Sequence, residues 1–281
     1  MAGRRLTAEL IEGYAEQLRR DERAEATVEK YMRALRQYER WLEGREVTRE
    51  LTAAWKEHLT SEGREPSTVN GQLSALDGLY RWLSWTDCSV RHIRVQRRAF
   101  CESSRELSRG EYERLIGSAR AAGRVRLALV METLGATGIR VSELRYVTVE
   151  ALEQGRAEVW LKGKVRTILL PSKLSRKLLK YAKSRGISRG EVFVTATGRS
   201  LSRKQVWQEM KKECARAGVE PGKVFPHNLR HLFARCFYRT SRDVTKLADV
   251  LGHSSIDTTR IYLMTSFTEH ERFLEALSLV S

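Results

Sequence analysis

The first part of the chain carries apolar side chains at helical spacing, separated by short polar turns. Between residues 26 and 42 the apolar positions recur about every 3.6 residues, which is typical of a helix with one buried face. Three further stretches show the same period: residues 7–18, 49–62 and 66–83. The pattern therefore predicts a compact bundle of four helices for residues 1–86.

Residues 87–105 break this pattern, because they are basic and show little apolar periodicity. Four arginines lie within them: Arg91, Arg94, Arg97 and Arg98. We interpret the segment as a linker between two domains. A basic, extended linker could run along a polyanion, or it could be a solvated tether, and the sequence leaves both interpretations open.

The remainder of the chain is again predominantly helical. Helices are predicted at residues 124–136, 172–182 and 203–217. Residues 159–171 instead place two apolar arms on either side of Lys162-Gly163-Lys164, which predicts a β-hairpin with lysine in its turn. Residues 192–203 indicate a further short strand and turn. The predicted fold class is therefore mainly α with a small antiparallel β-sheet.

The formal net charge of the chain is +16, and this excess is concentrated in its second part. Residues 1–100 hold 18 Lys and Arg against 16 Asp and Glu, whereas residues 101–281 hold 33 against 19. Because a basic surface releases counterions when it binds a polyanion, the charge favours a polyanionic partner such as duplex DNA, and by itself it also fits a ribosomal or membrane-surface protein.

Neither a membrane span nor a secretion signal is expected. No apolar run approaches the roughly 18 residues that cross a membrane, and the N-terminus lacks the apolar core of a signal peptide. We therefore expect a cytoplasmic, nucleoid-associated protein with no membrane partner.

The four cysteines are widely separated along the chain and show no CxxC spacing. They are Cys88, Cys101, Cys214 and Cys236. Such spacing indicates neither a disulfide framework nor a zinc site. Since no cluster of carboxylates has metal-ligand spacing either, we expect neither a metal nor a cofactor.

The densest group of chemically active side chains lies near the end of the chain. His227, Arg230 and His231 follow one another at helical spacing, so they share one surface of a helix. His253 stands in the turn after the next predicted helix, and Tyr262 lies on the helix that follows. Taken singly, each residue is more often structural than catalytic. Together, a guanidinium, several imidazoles and a phenol on consecutive helices indicate chemistry on a phosphate group.

A second box lies upstream, where residues 134–144 read LGATGIRVSEL. Glu143 follows Arg140 by three residues, so its carboxylate can pair with the guanidinium and hold it in place. Three further motifs accompany this box: HxxRH, LGH and the tyrosine nine residues on. Together they resemble the motifs of the tyrosine recombinases, the phage-integrase family, and the sequence of the box is Xer-like. The resemblance covers essentially the whole chain and is strongest from Leu107 to Tyr262.

The resemblance implies covalent chemistry on DNA. Tyr262 would attack a backbone phosphate to form a 3′-phosphotyrosine, and His227 would take the phenolic proton. Lys162 would protonate the departing 5′-oxygen. Because the hairpin is slightly shorter than the family pattern, Lys164 remains an alternative to Lys162.

The resemblance also implies how the phosphate is bound. Arg140 and Arg230, each with a planar fork of donors, would hold the non-bridging oxygens and offset charge in the transition state. His253 would hydrogen-bond the phosphate, while Glu143 and His231 would support the arginine and the histidine beside them.

Four segments follow from the resemblance. They are a SAM-like core-binding domain at residues 1–86, a linker at 87–105, a catalytic domain at 106–265 and a tail helix at 266–281. The tail would dock on a neighbouring protomer or fold back on its own domain. Lys30, Thr68 and Lys164, with the four linker arginines, are expected DNA contacts.

The expected assembly is a tetramer that joins two recombination sites in double-stranded DNA and forms a Holliday junction. An accessory directionality factor is a further expected partner. Such an enzyme would serve integration and excision, or resolution, of a DNA element.

Two other functions fit parts of the pattern. A type IB topoisomerase uses a similar set of Arg, Lys, His and Tyr to relax DNA as a monomer, and activity on supercoiled DNA without recognition sites would favour it. A catalytically silent DNA-binding regulator would keep only the basic surfaces. The helical bundle and the wording of the motifs favour a recombinase, whose target sequence the amino-acid sequence does not specify.

Overall fold

The computed structural model of the 281-residue chain describes residues 3–94, 106–161, 164–253 and 255–263. The chain divides into two compact units, Met1–Arg97 and Arg98–Ser281. Some of the predictions above lie outside the described residues: those for Arg97, Arg98, Cys101, Lys162 and the tail 266–281.

The N-terminal unit is a bundle of four helices. They are α1 (Ala8–Arg20), α2 (Glu25–Leu42), α3 (Arg49–Ser61) and α4 (Pro66–Trp82). Two of them begin at threonines, Thr7 and Thr48, whose side chains accept hydrogen bonds from backbone N–H groups of the first turn. Trp55 is buried at the centre, where it packs against Tyr38 with 5.6 Å between ring centroids. Such aromatic side chains contribute large buried surfaces to a core that is otherwise mostly aliphatic.

The bundle continues past its predicted boundary at residue 86. Residues Thr86–Cys88 form a 3₁₀ helix, and Cys88 is buried in the core. The side-chain amide of Asn70 accepts from the Ile93 backbone N–H at 2.8 Å and donates to the Ile93 carbonyl at 2.9 Å. These two bonds attach the start of the predicted linker to α4.

The C-terminal unit is mainly helical and holds the small sheet. Its first helices are α5 (Arg109–Ala121), α6 (Val125–Thr137) and α7 (Val149–Gln154), with a 3₁₀ helix at Val141–Tyr146 between α6 and α7. Later come α8 (Ser172–Ser184), α9 (Arg203–Ala217), α10 (Pro226–Ser241), α11 (Val244–Leu251) and α12 (Ile256–Arg260). The apolar helix α6 packs against α5, α8, α9 and α10, which explains why residues on all of its faces are buried.

The sheet is a two-stranded antiparallel hairpin of β1 (Arg156–Leu161) and β2 (Lys164–Leu169). Val159 lies opposite Arg166 and is buried, whereas Trp160 lies opposite Val165 and is exposed. This confirms the predicted fold class, mainly α with a small antiparallel sheet. The strand expected within residues 192–203 is reduced to an isolated bridge between Val194 and Ser200.

Within the described ranges, no helix has both the length and the apolar character that a membrane crossing requires.

Candidate active site

Helix α10 carries three of the predicted site residues on one surface. It begins at Pro226, whose fixed φ suits the first turn of a helix. The rings of His227 and His231 meet edge to face, with 4.8 Å between centroids. Arg230 lies between them in sequence and is 1% exposed, whereas His227 keeps an exposed edge.

Arg230 is held by backbone carbonyls from two other elements. Its Nη1 donates to the Gly138 carbonyl at 2.6 Å, and its Nη2 donates to the Leu251 carbonyl at 2.8 Å. Gly138 ends α6 with φ of +64°, and Leu251 is the last residue of α11. Among the described residues, the buried Arg230 Nε has no hydrogen-bond partner. A buried cation with a free N–H can bind an anion.

His253 is locked in one tautomer by its two partners. Its Nε2 lies 2.8 Å from Arg230 Nη2, which can only donate, so Nε2 is the acceptor. The proton is therefore on Nδ1, which lies 2.8 Å from the hydroxyl of Thr259. Thr259 is fully buried and lies on α12, so its hydroxyl orients the imidazole from the interior of the unit.

Tyr262 is the residue on which the other site residues converge. Its hydroxyl lies 3.4 Å from His227 Nε2, within hydrogen-bond distance. Its ring centroid is 4.3 Å from that of His231 and 5.4 Å from that of His253, and the Arg230 guanidinium carbon lies 5.9 Å from it. The side chain is 6% exposed.

Arg140 and Glu143 form the predicted pair. Arg140 donates to Glu143 through its backbone N–H at 2.8 Å and through Nη1 at 3.1 Å. Glu143 is fully buried, and the Arg140 side chain is 43% exposed. The carboxylate therefore holds a guanidinium that remains accessible from solvent.

Burial and neighbouring cations keep the imidazoles neutral. Burial lowers the pKa of His231 to about 4, helped by His227 and Arg230. Burial, with Arg230 and Arg140, likewise lowers the pKa of His253 to about 4. The pKa of His227 is lowered from 6.5, first by loss of water around its ring and then by Arg230.

The buried guanidinium keeps its charge. Burial, followed by repulsion from Arg140, lowers the pKa of Arg230 from 12.5 to about 10. Near neutral pH the site therefore combines cationic guanidinium groups with uncharged imidazoles.

The structure thus brings together seven predicted residues. They are Arg140, Glu143, His227, Arg230, His231, His253 and Tyr262. Lys164 is the first residue of β2, on the hairpin that carries Lys162. The expected DNA contacts Lys30, Thr68, Arg91 and Arg94 lie in the N-terminal unit, and all four are exposed.

Two residues of the site were missed by sequence reasoning. Arg166 on β2 donates to Glu143 Oε2 at 2.6 Å and to the Leu251 carbonyl. Thr259 sets the tautomer of His253. Strand alternation could have placed Arg166 on the buried face with Val159, where an arginine is unusual. The sequence around Thr259 carries no comparable signal.

Within the part of the chain that the structure describes, no three His, Cys, Asp or Glu side chains are grouped so that they could hold a metal ion.

Comparison with known proteins identifies the class. A family model described as the phage integrase family matches residues 105–269, and one described as the phage integrase N-terminal SAM-like domain matches residues 11–87. Since the first match covers more than half of the 281 residues, the chain belongs to the phage integrase family.

Among curated proteins, the chain is similar to the tyrosine recombinase XerD of Xanthomonas campestris pv. campestris. The two are 35% identical over 164 residues, which cover 52% of this chain and 50% of XerD. It is also 30% identical over 164 residues to the tyrosine recombinase XerA of Pyrococcus furiosus, covering 56% of each chain. The chain thus spans about half the length of the curated relatives it matches.

Solved structures share the fold. A lambda integrase dimer bound to a COC′ core site matches with a TM-score of 0.73 and 19% identity, covering 92% of this chain and 77% of that chain. The XerH site-specific recombinase bound to difH substrate matches with a TM-score of 0.69 and 20% identity, covering 98% and 84%.

Proposed function

We propose that this protein is a tyrosine recombinase, which cuts and rejoins double-stranded DNA at specific sites through a 3′-phosphotyrosine on Tyr262. The observation that carries the proposal is the position of the Tyr262 hydroxyl. It lies 3.4 Å from an imidazole nitrogen of His227, beside the buried guanidinium of Arg230. A nucleophile, a base and an anion-binding group therefore share one site.

His227 acts as the general base. A free phenol ionises near pH ~10, so about one in a thousand is ionised at pH 7 and a base must assist the attack. The lowered pKa of His227 leaves its ring neutral at that pH, with a lone pair for the phenolic proton. The oxygen of Tyr262 then attacks phosphorus, and the bond from phosphorus to the 5′-oxygen breaks.

Arg230 and Arg140 bind the non-bridging oxygens of the phosphate. Arg230 offers its unpaired Nε–H, and its carbonyl partners fix the plane of the guanidinium. Arg140 offers the accessible part of its side chain, with Glu143 behind it. Such fixed donors stabilise the added charge of the transition state without reorganisation.

His253 is a third phosphate ligand. In the DNA-free protein its Nε2 accepts from Arg230. To donate to a phosphate oxygen it must gain a proton on Nε2 or exchange tautomers through Thr259, whose hydroxyl can donate as well as accept. His231 supports the ring of Tyr262, which it contacts directly.

The leaving 5′-oxygen takes its proton from the lysine hairpin. Lys162 is our first candidate for this acid, and Lys164 is the alternative. A lysine ammonium suits this role better than a guanidinium, because its pKa shifts readily with its surroundings.

At the level of the assembly, we propose that four protomers join two duplexes and exchange strands through a Holliday junction. A solved lambda integrase is a tetramer bound to a Holliday junction, and it shares this fold with a TM-score of 0.72. The N-terminal bundle, predicted at residues 1–86 and attached through Asn70 to Ile93, forms the core-binding domain, and the rest of the segment up to residue 105 is the linker. Residues 106–265 form the catalytic domain, with the tail 266–281 docking on the next protomer. Lys30, Thr68, Lys164 and the linker arginines contact DNA, and an accessory protein sets the direction of integration, excision or resolution.

The test is formation of a covalent protein–DNA adduct. The probe is a supercoiled plasmid library that carries fragments from either side of the gene, and sequencing of trapped DNA identifies the site. Wild-type protein should form the adduct, and Tyr262→Phe should form none while it still binds the same DNA. Tyr238→Phe is the matched control, because Tyr238 packs on the same apolar cluster as Tyr262. An adduct that persists in Tyr262→Phe would exclude the proposal.

A further inference from the structure

One side chain of the hairpin, that of Arg166, contacts residues of the site. Arg166 lies opposite the buried Val159 and is 14% exposed. Its Nη2 donates to Glu143 Oε2 at 2.6 Å, and its Nη1 donates to the Leu251 carbonyl. Within the described residues, its Nε has no hydrogen-bond partner.

Both acceptors of Arg166 are shared with an arginine of the phosphate site. Glu143 also accepts a hydrogen bond from Nη1 of Arg140, at 3.1 Å. The Leu251 carbonyl also accepts a hydrogen bond from Nη2 of Arg230, at 2.8 Å. A continuous series of hydrogen bonds therefore runs from Arg140 through Arg166 to Arg230.

The turn after α11 leaves room for this side chain. Gly252 has φ of +65°, and a Cβ there would overlap Arg166 Cδ and crowd its Nη1 and Nε. Gly218, which ends α9 with φ of +60°, has open space around the same position. Gly252 is thus required for Arg166 as well as for its own backbone conformation.

We propose that Arg166 is a positioning residue, which sets the spacing between Arg140 and Arg230 and ties the lysine hairpin to both. The inference rests on the proposed function, because the spacing matters only if a phosphate binds between the two arginines.

A planar guanidinium is suited to this role. Its two Nη atoms reach two acceptors at once in a fixed geometry, whereas a lysine ammonium is a single point of charge on a flexible stem. Arg166 also adds a third cation to a site with one described carboxylate, Glu143, and repulsion from Arg140 follows burial among the causes that lower its pKa. Buried positive charge without a partner is unfavourable, so a phosphate that pairs with it is bound more favourably.

The first experiment measures the single-turnover rate of adduct formation on a nicked duplex carrying the site trapped from the plasmid library. Because small misplacement of a reacting group is costly, we expect Arg166→Ala to slow the rate about 100-fold and Arg166→Lys about 10-fold. The Kd for the same duplex should change by less than about 3-fold, since few phosphate contacts are lost. Arg156→Ala is the control, because Arg156 is an exposed arginine of the same hairpin.

The second experiment is a double-mutant cycle. Gly252→Ala should slow adduct formation strongly in the wild type and only slightly in Arg166→Ala, because the conflict with Arg166 is then gone. Gly218→Ala introduces a similar backbone strain and should leave the rate unchanged in both backgrounds. Partial recovery in Arg166→Lys together with this non-additivity would support a positioning role.

The possible failures are distinguishable. If wild-type protein forms no Tyr262-dependent adduct, the proposed function fails. If it does, and Arg166→Ala cleaves within about 3-fold of wild type, the inference fails alone. The inference also fails if the fold-reductions in rate caused by Gly252→Ala and Arg166→Ala simply multiply in the double variant. It fails too if Arg166→Ala weakens binding and cleavage to the same degree, since Arg166 would then only stabilise the fold.

Discussion

The two units of the chain bury polar groups of different kinds. In the N-terminal unit the described buried polar side chains are uncharged, namely Thr52 and Gln72. In the C-terminal unit they include two carboxylates and a guanidinium, those of Glu143, Glu213 and Arg230. Burying a charge is costly unless it is paired, and a core needs none for stability. Two of the three buried charges, those of Glu143 and Arg230, lie in the site that we assign to a phosphate, whereas Glu213 lies elsewhere in the same unit.

The two carboxylates allow a finer comparison. Glu213 accepts a hydrogen bond from the Ser118 hydroxyl at 3.0 Å and forms an ion pair with Arg124 at 2.6 Å, so it joins α9 to α5 and to the turn before α6. Glu143 forms ion pairs with Arg140 and Arg166. Both are fully buried. Glu213 holds helices together, whereas Glu143 holds Arg140, which we assign to the phosphate, and Arg166, which we propose positions the arginines.

The largest effect is expected at Arg230. Arg230→Ala removes a fixed donor from the phosphate, so the rate of adduct formation should fall on the order of 10²–10³. Arg235→Ala is the control on the same helix, because Arg235 bonds the Leu107 carbonyl at 2.7 Å and pairs with Glu106. Single-turnover cleavage of the nicked duplex measures both. Equal rates in the two variants would reduce Arg230 to a structural arginine.

The next effect separates the two buried carboxylates. Each of Glu143→Gln and Glu213→Gln removes a fully buried carboxylate from its arginine partners, so each should lower the free energy of unfolding by about 1–3 kcal/mol. Only Glu143→Gln should also slow adduct formation, by roughly 10–100-fold, because Arg140 loses its orientation. Denaturant unfolding and single-turnover cleavage are compared on the same samples. Slow cleavage in Glu213→Gln would contradict the comparison.

A smaller effect is expected in the bundle. The Thr52 hydroxyl lies 3.2 Å from that of Tyr38 and 2.8 Å from that of Tyr80. Thr52→Val leaves both phenols with one partner fewer, so the N-terminal unit should lose about 1–2 kcal/mol of stability. The rate of adduct formation at saturating DNA should not change. A slower rate would show that the uncharged core also affects the chemistry.

The smallest effect is a pH dependence of stability. The pKa of His231 is about 4 in the folded chain and that of an unfolded histidine is about 6.5. Between these values the unfolded state binds more protons, so stability falls as pH falls. Between pH 6.5 and 4.5, Tm should drop by roughly 3 °C less in His231→Phe than in wild type. Parallel curves of Tm against pH for the two proteins would mean that the pKa of His231 is not lowered in the folded chain.

The spacing of residues along single helices made much of the site predictable. His227, Arg230 and His231 share α10 because their spacing matches its period, and Gly252 ends α11 as its pattern indicates. Helix α5 begins with a capping box of Ser108 and Glu111, whose Ser-x-x-Glu spacing is visible in the sequence. In each case the signal lies within a few residues of the feature that it predicts.

The contacts between distant elements could not be predicted in this way. Arg230 reaches the carbonyl of Gly138, 92 positions earlier, and Arg166 reaches that of Leu251, 85 positions later. A backbone carbonyl carries no sequence signal of its own, so its partner depends on how the helices pack. The attachment of Ile93 to Asn70 was missed for the same reason.

The attachment point of the DNA is the most direct test of the account. The adduct formed on the nicked duplex in the presence of a chelator is digested with trypsin and nuclease, and the nucleotide-bearing peptide is sequenced by mass spectrometry. We predict a nucleotide joined through its 3′-phosphate to the peptide of residues 261–272, whose only tyrosine is Tyr262. A nucleotide on any other peptide, or an adduct that forms only when a metal ion is added, would contradict it.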